Sequence, residues 1–102
     1  MNSASSRQSL LPVEWYETEQ DYLSVLAMLP IPEQQNPVSY EAFRAEIKNL
    51  EARYKQRGFI ARRIMVTPLT IKLWCKENGY PVCKSSIIHF VAESLAVLLE
   101  SN

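Results

Sequence analysis

The chain has 102 residues, of which 47% are hydrophobic, 10% aromatic and 22% charged, and it contains only two glycines. This length predicts one domain, and the apolar content excludes an intrinsically disordered chain. Two glycines are few for a β-sandwich or a phosphate-binding loop, so the composition favours helices joined by short turns. We therefore expect a mainly α fold, with about four helices in a compact bundle and one short extended or β segment (59–66) before the third helix.

The net charge is zero, but the charges are unevenly distributed along the chain. Residues 1–42 contain six acids and one base, a net charge of about −5, whereas residues 43–102 contain ten bases and five acids, about +5. Either the acidic part covers the basic part within the fold, or a basic surface stays open to an anionic partner. Neither a signal-peptide pattern nor a bilayer-length apolar run is visible, so we expect a cytoplasmic protein without membrane contact.

Two helices are predicted in the first half of the chain. The first spans Val13–Leu29, where apolar side chains recur at helical spacing and acids fill the opening turns. A proline-rich connector (30–38) follows it, and residues 1–10 are expected to form a disordered tail ahead of one helical domain at 11–102. Ser39 is a good N-cap for the second helix, which ends before Gly58. The apolar stripe of this second helix comprises Phe43, Ile47, Leu50 and Tyr54.

One strand is predicted, at Phe59–Val66, because this segment is rich in β-branched and aromatic residues. A lone strand leaves its backbone hydrogen-bonding groups unpaired. It therefore either pairs with a copy of itself or lies as an extended link against the helices. Thr67 caps a third helix, which ends at Gly79. The last helix, at about 85–100, has a broad apolar face typical of a central core helix or an oligomer interface.

Three side chains that could bind a metal, Cys75, Cys83 and His89, fall within 15 residues. Their spacing matches no zinc motif and a fourth ligand is lacking nearby, so we expect packed side chains and no metal or other cofactor. The chain also contains no glycine-rich phosphate loop, nucleophile elbow or Cys-x-x-Cys motif. We therefore expect a protein that is not an enzyme.

Five basic side chains lie within 11 residues that contain no acid, and two aromatic residues are interleaved with them. Such clusters are typical of phosphate-binding surfaces. Alternatively, the first three complement the carboxyl end of a helix, and the last two point to opposite faces of a strand. The five residues are Arg53, Lys55, Arg57, Arg62 and Arg63.

The leading hypothesis is a small non-enzymatic interaction protein, an adaptor or regulatory subunit that binds another protein. The segregated charge and the apolar final helix favour it. The five basic residues are the candidate contacts. Trp15 and Tyr16 join them if the first helix exposes an aromatic edge.

Residues 60–100 resemble the ribbon-helix-helix class of DNA-binding dimers in the order of their elements. These elements are a strand (Ile60–Val66), a helix (Pro68–Asn78), the Gly79 turn and the run Lys84-Ser85-Ser86-Ile87-Ile88, which opens an apolar helix. In that class two strands pair across a dimer axis and enter the major groove. The resemblance implies a homodimeric transcriptional regulator with nucleic acid as its partner. The DNA-reading strand face would then comprise Ala61, Arg63 and Met65, or alternatively Arg62 and Ile64.

Overall fold

The computed structural model describes residues 9–100, which form five helices and a two-stranded sheet. In chain order the elements are β1 (Ser9–Trp15), α1 (Glu19–Met28), α2 (Ile31–Gln34), α3 (Tyr40–Gln56), β2 (Phe59–Met65), α4 (Pro68–Asn78) and α5 (Lys84–Glu100). The prediction of a mainly helical fold is confirmed. The additional helix is α2, a single turn inside the proline-rich connector.

The two strands pair in parallel, in a register that runs from Ser9 opposite Phe59 to Trp15 opposite Met65. The backbone N–H of Val66 extends the ladder by donating to the carbonyl of Trp15 at 2.8 Å. Parallel strands need a long crossover connection, and here the three helices α1 to α3 supply it. The predicted strand thus has its partner within the same chain.

The predicted first helix, Val13–Leu29, is wrong in its amino-terminal part. Its first three residues belong to β1, and α1 begins only at Glu19, where Thr18 is the N-cap and its side chain accepts from the N–H of Asp21. Pairing with β2 and burial against α3 outweigh the helical spacing in this stretch, as tertiary context commonly does. Ser9 and Leu10, which the predicted tail included, also belong to β1, and residues 1–8 lie outside the described residues.

The sheet is covered by a helix on each face. Side chains from one face, including Val13 and Trp15, form a small cluster with Ile47 of α3. On the other face Ile64 joins the main core, together with Val91 of α5. Because successive strand residues point to opposite faces, this alternation places α3 on one side of the sheet and α5 on the other.

The main core fills the space between the sheet and helices α1, α4 and α5. At its centre Val66 and Ile71 are fully buried, at 0% exposure. The caps and the turn that fix the ends of these helices act over a few residues, and they are the ones predicted from the sequence. Ser39 caps α3 through the N–H of Ala42, Thr67 caps α4 in a capping box, and Gly79 ends α4 with φ +72°. No helix within residues 9–100 is long and apolar enough to cross a membrane.

Shortening a side chain at the centre of the main core should destabilise the fold strongly. We expect Ile71→Ala to lower the free energy of unfolding by about 3 kcal/mol, because it removes buried methyl groups and leaves a cavity. The matched control is Ile88→Ala, at a position that is 67% exposed, where we expect a change below about 0.5 kcal/mol. Urea unfolding followed by circular dichroism measures both, and equal effects would contradict the placement of the core.

Candidate interaction surface

One edge of β2 has no strand partner among residues 9–100, because the sheet contains only β1 and β2. A groove of about 380 Å³ lies beside this strand. Three consecutive β2 residues line it, and since their side chains alternate between the two faces, the groove runs along the strand's edge. We call it the edge groove; its lining comprises Arg63, Ile64, Met65, Trp74, Phe90, Glu93, Ser94, Val97 and Leu98.

The surface of the edge groove is largely apolar and open to solvent. Met65 is 54% exposed and Val97 57% exposed, and both line it. Leu98 of α5, which also lines the groove, is 40% exposed. Apolar side chains gathered around a groove, unlike single exposed ones, are characteristic of an interaction site.

An aromatic cluster on α4 and α5 supports one wall of the edge groove. The Trp74 ring packs edge-on against Phe90, with ring centroids 5.8 Å apart, and against His89 at 5.2 Å. The Trp74 indole N–H donates to a Glu93 carboxylate oxygen at 3.3 Å. These contacts fix the Trp74 ring, so the wall of the groove is preformed. They also give His89 a packing role at the surface.

Arg63 is solvent-exposed, but two contacts hold its side chain against the fold. Its guanidinium donates two hydrogen bonds to the Glu51 carboxylate, at 2.7 and 3.0 Å, and lies 3.9 Å from the centre of the Trp15 ring. The hydrogen bonds to Glu51 raise the pKa of Arg63. Arg63 therefore ties β2 to α3 and to β1, and its internal partner comes from α3 instead of the acidic first helix.

The other four basic residues of the run are exposed, and within residues 9–100 none of them forms an ion pair. Arg53 and Lys55 lie in the last turn of α3, Arg57 is its C-cap, and Arg62 lies on β2. Three of these charges complement the negative end of the α3 dipole. Arg62 has no such role, so it is the basic residue of β2 that forms no ion pair within the described part of the chain.

Trp15 and Tyr16 are buried, at 8% and 2% exposure, so the condition under which they would join the contact residues, an exposed aromatic edge, is not met. Trp15 ends β1 and packs with Ile47 of α3, and Tyr16 follows it and packs against Tyr22 of α1 and Phe43 of α3. The Tyr16 carbonyl accepts from the Tyr40 hydroxyl at 2.7 Å, and the Tyr16 hydroxyl donates to the Glu14 carboxylate. Burial and the neighbouring Glu14 carboxylate raise the pKa of Tyr16.

The two cysteines flank the turn between α4 and α5. Cys75 is buried and burial raises its pKa, whereas the hydroxyl of Ser86, 3.3 Å from the Cys83 sulfur, lowers the pKa of Cys83. Ser86 in turn donates to the carbonyl of Pro81 at 2.7 Å. Over residues 9–100 no group of three or more His, Cys, Asp or Glu side chains is arranged to hold a metal ion.

The edge groove was not predicted from the sequence, although its signals are present. The strand prediction left the pairing of Phe59–Val66 open, and the broad apolar face of the last helix exceeded what one core can cover. Its residues converge only once β1 has occupied one edge of β2. Comparison with protein-family models, with curated protein sequences and with solved structures finds no match.

The two strand arginines should differ in their effect on stability. We expect Arg63→Ala to lower the free energy of unfolding by about 1 kcal/mol, because it removes a bidentate ion pair and a cation–π contact. Arg62→Ala should change it by less than about 0.5 kcal/mol, since exposed side chains without partners contribute little. Urea unfolding of both variants measures this, and a larger loss for Arg62→Ala would contradict the placement of the two side chains.

Proposed function

We propose that this protein is a non-enzymatic interaction protein, and that a partner protein binds in the edge groove by adding an extended strand to β2. The observation that supports it is the coincidence of a strand edge without a partner among residues 9–100 with a groove lined by exposed apolar side chains of β2 and α5 and by Trp74 of α4. Strand addition combines both features, because backbone hydrogen bonds provide affinity and pockets beside the edge select the side chains.

The backbone groups available for this pairing follow from the register. The Val66 N–H points towards β1, so alternate β2 residues point the same way, and the remaining ones direct their N–H and C=O groups outwards. The outward residues are Phe59, Ala61, Arg63 and Met65. Two of these four also line the groove, which places the backbone donors and the apolar wall on the same side of the strand.

The charge around the strand favours a partner segment that carries acidic residues. Arg62 lies on β2, and Arg53 and Arg57 end the helix that leads into it, all exposed and without ion pairs in the described part of the chain. Charges of one sign at the rim of an interface steer an oppositely charged partner and raise its association rate. The partner is thus expected to combine alternating apolar residues with flanking carboxylates.

Photo-crosslinking tests the proposal in cells. A photoreactive amino acid at position 65 should crosslink one heterologous protein, because Met65 is exposed and lines the groove. Val97→Glu should weaken this crosslink by about tenfold or more, since a charge would be buried against the partner. The matched control is Ile31→Glu, at a position on α2 that is 75% exposed and outside the groove.

The crosslinked partner is then purified and mixed with the full chain for amide hydrogen exchange. Strand addition should slow exchange at Ala61, Arg63 and Met65 and leave the amides of α2 unchanged. Equal loss of crosslinking in Val97→Glu and Ile31→Glu, or unchanged exchange along β2, would rule out binding at this edge.

A second candidate is a homodimeric DNA-binding regulator of ribbon-helix-helix type. What favours it is the order β2, α4, the Gly79 turn and α5 over residues 59–100, together with an open β2 edge and the exposed cation Arg62. In such a dimer the edge groove is occupied by a second copy, and the paired β2 strands present Arg62 to the phosphates or bases of a duplex.

Light scattering and fluorescence anisotropy separate this candidate from the first. It requires a dimer at micromolar concentration and an affinity for duplex DNA that falls by about a thousandfold between 50 and 200 mM salt. Arg62→Glu should abolish binding, whereas Lys76→Glu, an equal charge change at an exposed α4 position outside the basic run, should weaken it only slightly. A monomer, or binding that does not respond to salt, would eliminate the DNA-binding candidate.

A further inference from the structure

A second cavity, of about 290 Å³, lies beneath the proline-rich connector and shares no residue with the edge groove. Residues from β1, α1, the connector, α3 and the first turns of α5 line it. We call it the connector cavity. Its apolar floor includes Val25, Leu29 and Ile87, all of them core residues. A cavity with an apolar floor and a few converging polar groups has the construction of a small-molecule site.

The connector is fastened over this cavity at several points. The Tyr22 hydroxyl donates to the carbonyl of Val38 at 2.7 Å, and a Glu33 carboxylate oxygen accepts from the backbone N–H of Lys84 at 2.8 Å. The side-chain amide of Gln34 donates to the carbonyl of Leu29. Between these anchors Asn36, which lines the cavity, has a φ of +54°, in the left-handed region. These hydrogen bonds therefore hold the part of the cavity wall that the connector forms in a defined conformation.

One carboxyl group on the wall of the cavity has fewer hydrogen-bond donors than it can accept. The Glu14 carboxylate receives the Tyr16 hydroxyl, and residues 9–100 supply no other hydrogen bond to it. An ionised carboxylate has about four acceptor positions. Burial raises the pKa of Glu14, while the Tyr16 hydrogen bond and the charge of Lys84 lower it. A donor brought by a ligand would fill acceptor positions that are open here.

The charged groups that line the cavity determine whether it favours a positively or a negatively charged ligand. Three carboxylates line it, from Glu14, Glu33 and Glu46, against one ammonium, from Lys84. With all four groups ionised, the lining carries a net charge of −2. This net charge would repel an anionic ligand, whereas a cation would reduce the electrostatic energy of the site.

We propose that the connector cavity binds a small aliphatic amine in its ammonium form. The ammonium group donates to the Glu14 carboxylate and is attracted by Glu46 at the α3 side of the cavity. The alkyl part of the ligand packs on the floor formed by Val25, Leu29 and Ile87. A diamine matches the lining best, since its two positive charges balance the net charge of the cavity.

Putrescine (1,4-diaminobutane) is the probe, and its neutral analogue 1,4-butanediol is the matched control. Both are titrated into the isotopically labelled full chain, and amide shifts are followed by nuclear magnetic resonance. Putrescine should give saturable shifts at residues of the cavity wall, such as Glu14, Val38 and Glu46, and 1,4-butanediol should bind at least about tenfold more weakly, because it lacks the charge-assisted hydrogen bond.

The variant Glu14→Gln keeps the shape of the side chain and removes its charge. It should weaken putrescine binding by about tenfold or more. Glu77→Gln, an equal charge change on α4 away from the cavity, should leave binding unchanged. Equal affinity for putrescine and 1,4-butanediol in the unaltered chain, or shifts spread over acidic residues outside the cavity, would overturn the proposal whether or not Glu14→Gln folds.

Discussion

The parallel pairing of β1 with β2 is the constraint on which the rest of this structure depends. Two adjacent strands can run in the same direction only if the chain between them returns along the sheet, and here α1, α2 and α3 form that return. The pairing also satisfies the backbone of both strands along their inner edges. The pairing thereby places α3 against one face of the sheet and α5 against the other. As a result, a sheet of only two strands becomes part of the hydrophobic core.

Arg63 connects this pairing to the helical layer. Its guanidinium lies over Trp15 of β1 and binds Glu51 of α3, so a single side chain of β2 contacts two other elements. Its neighbour Arg62 points to the opposite face and forms no ion pair in the described region. The two adjacent arginines are both exposed and differ in their contacts, because strand geometry directs Arg63 towards Glu51 and Trp15 and Arg62 away from them.

The sequence predicted those parts of the fold that are encoded over a few residues. The caps at Ser39 and Thr67 and the turn at Gly79 were found because each acts on groups within four positions. The strand β1 was missed because its apolar residues run into the helical spacing of the residues that follow. Only its pairing with β2, which is distant in sequence, identifies it as a strand. Missing β1 also hid the edge groove, since a groove along β2 exists only when one edge of that strand is occupied. It likewise left open whether Trp15 and Tyr16 form an exposed aromatic edge.

The two outer edges of the sheet differ in their ability to accept a further strand. The carbonyl of Trp15 faces β2, so alternate residues of β1 do the same and Pro12 directs its backbone outwards. Proline has no N–H, which removes a donor from the middle of the outer edge of β1 and makes it a poor template. β2 contains no proline between Phe59 and Met65, and all four of its outward residues keep their N–H groups. The edge that can pair is therefore the one beside which side chains of α4 and α5 form the apolar groove, and this agreement between backbone and surface directs any strand-adding partner to β2.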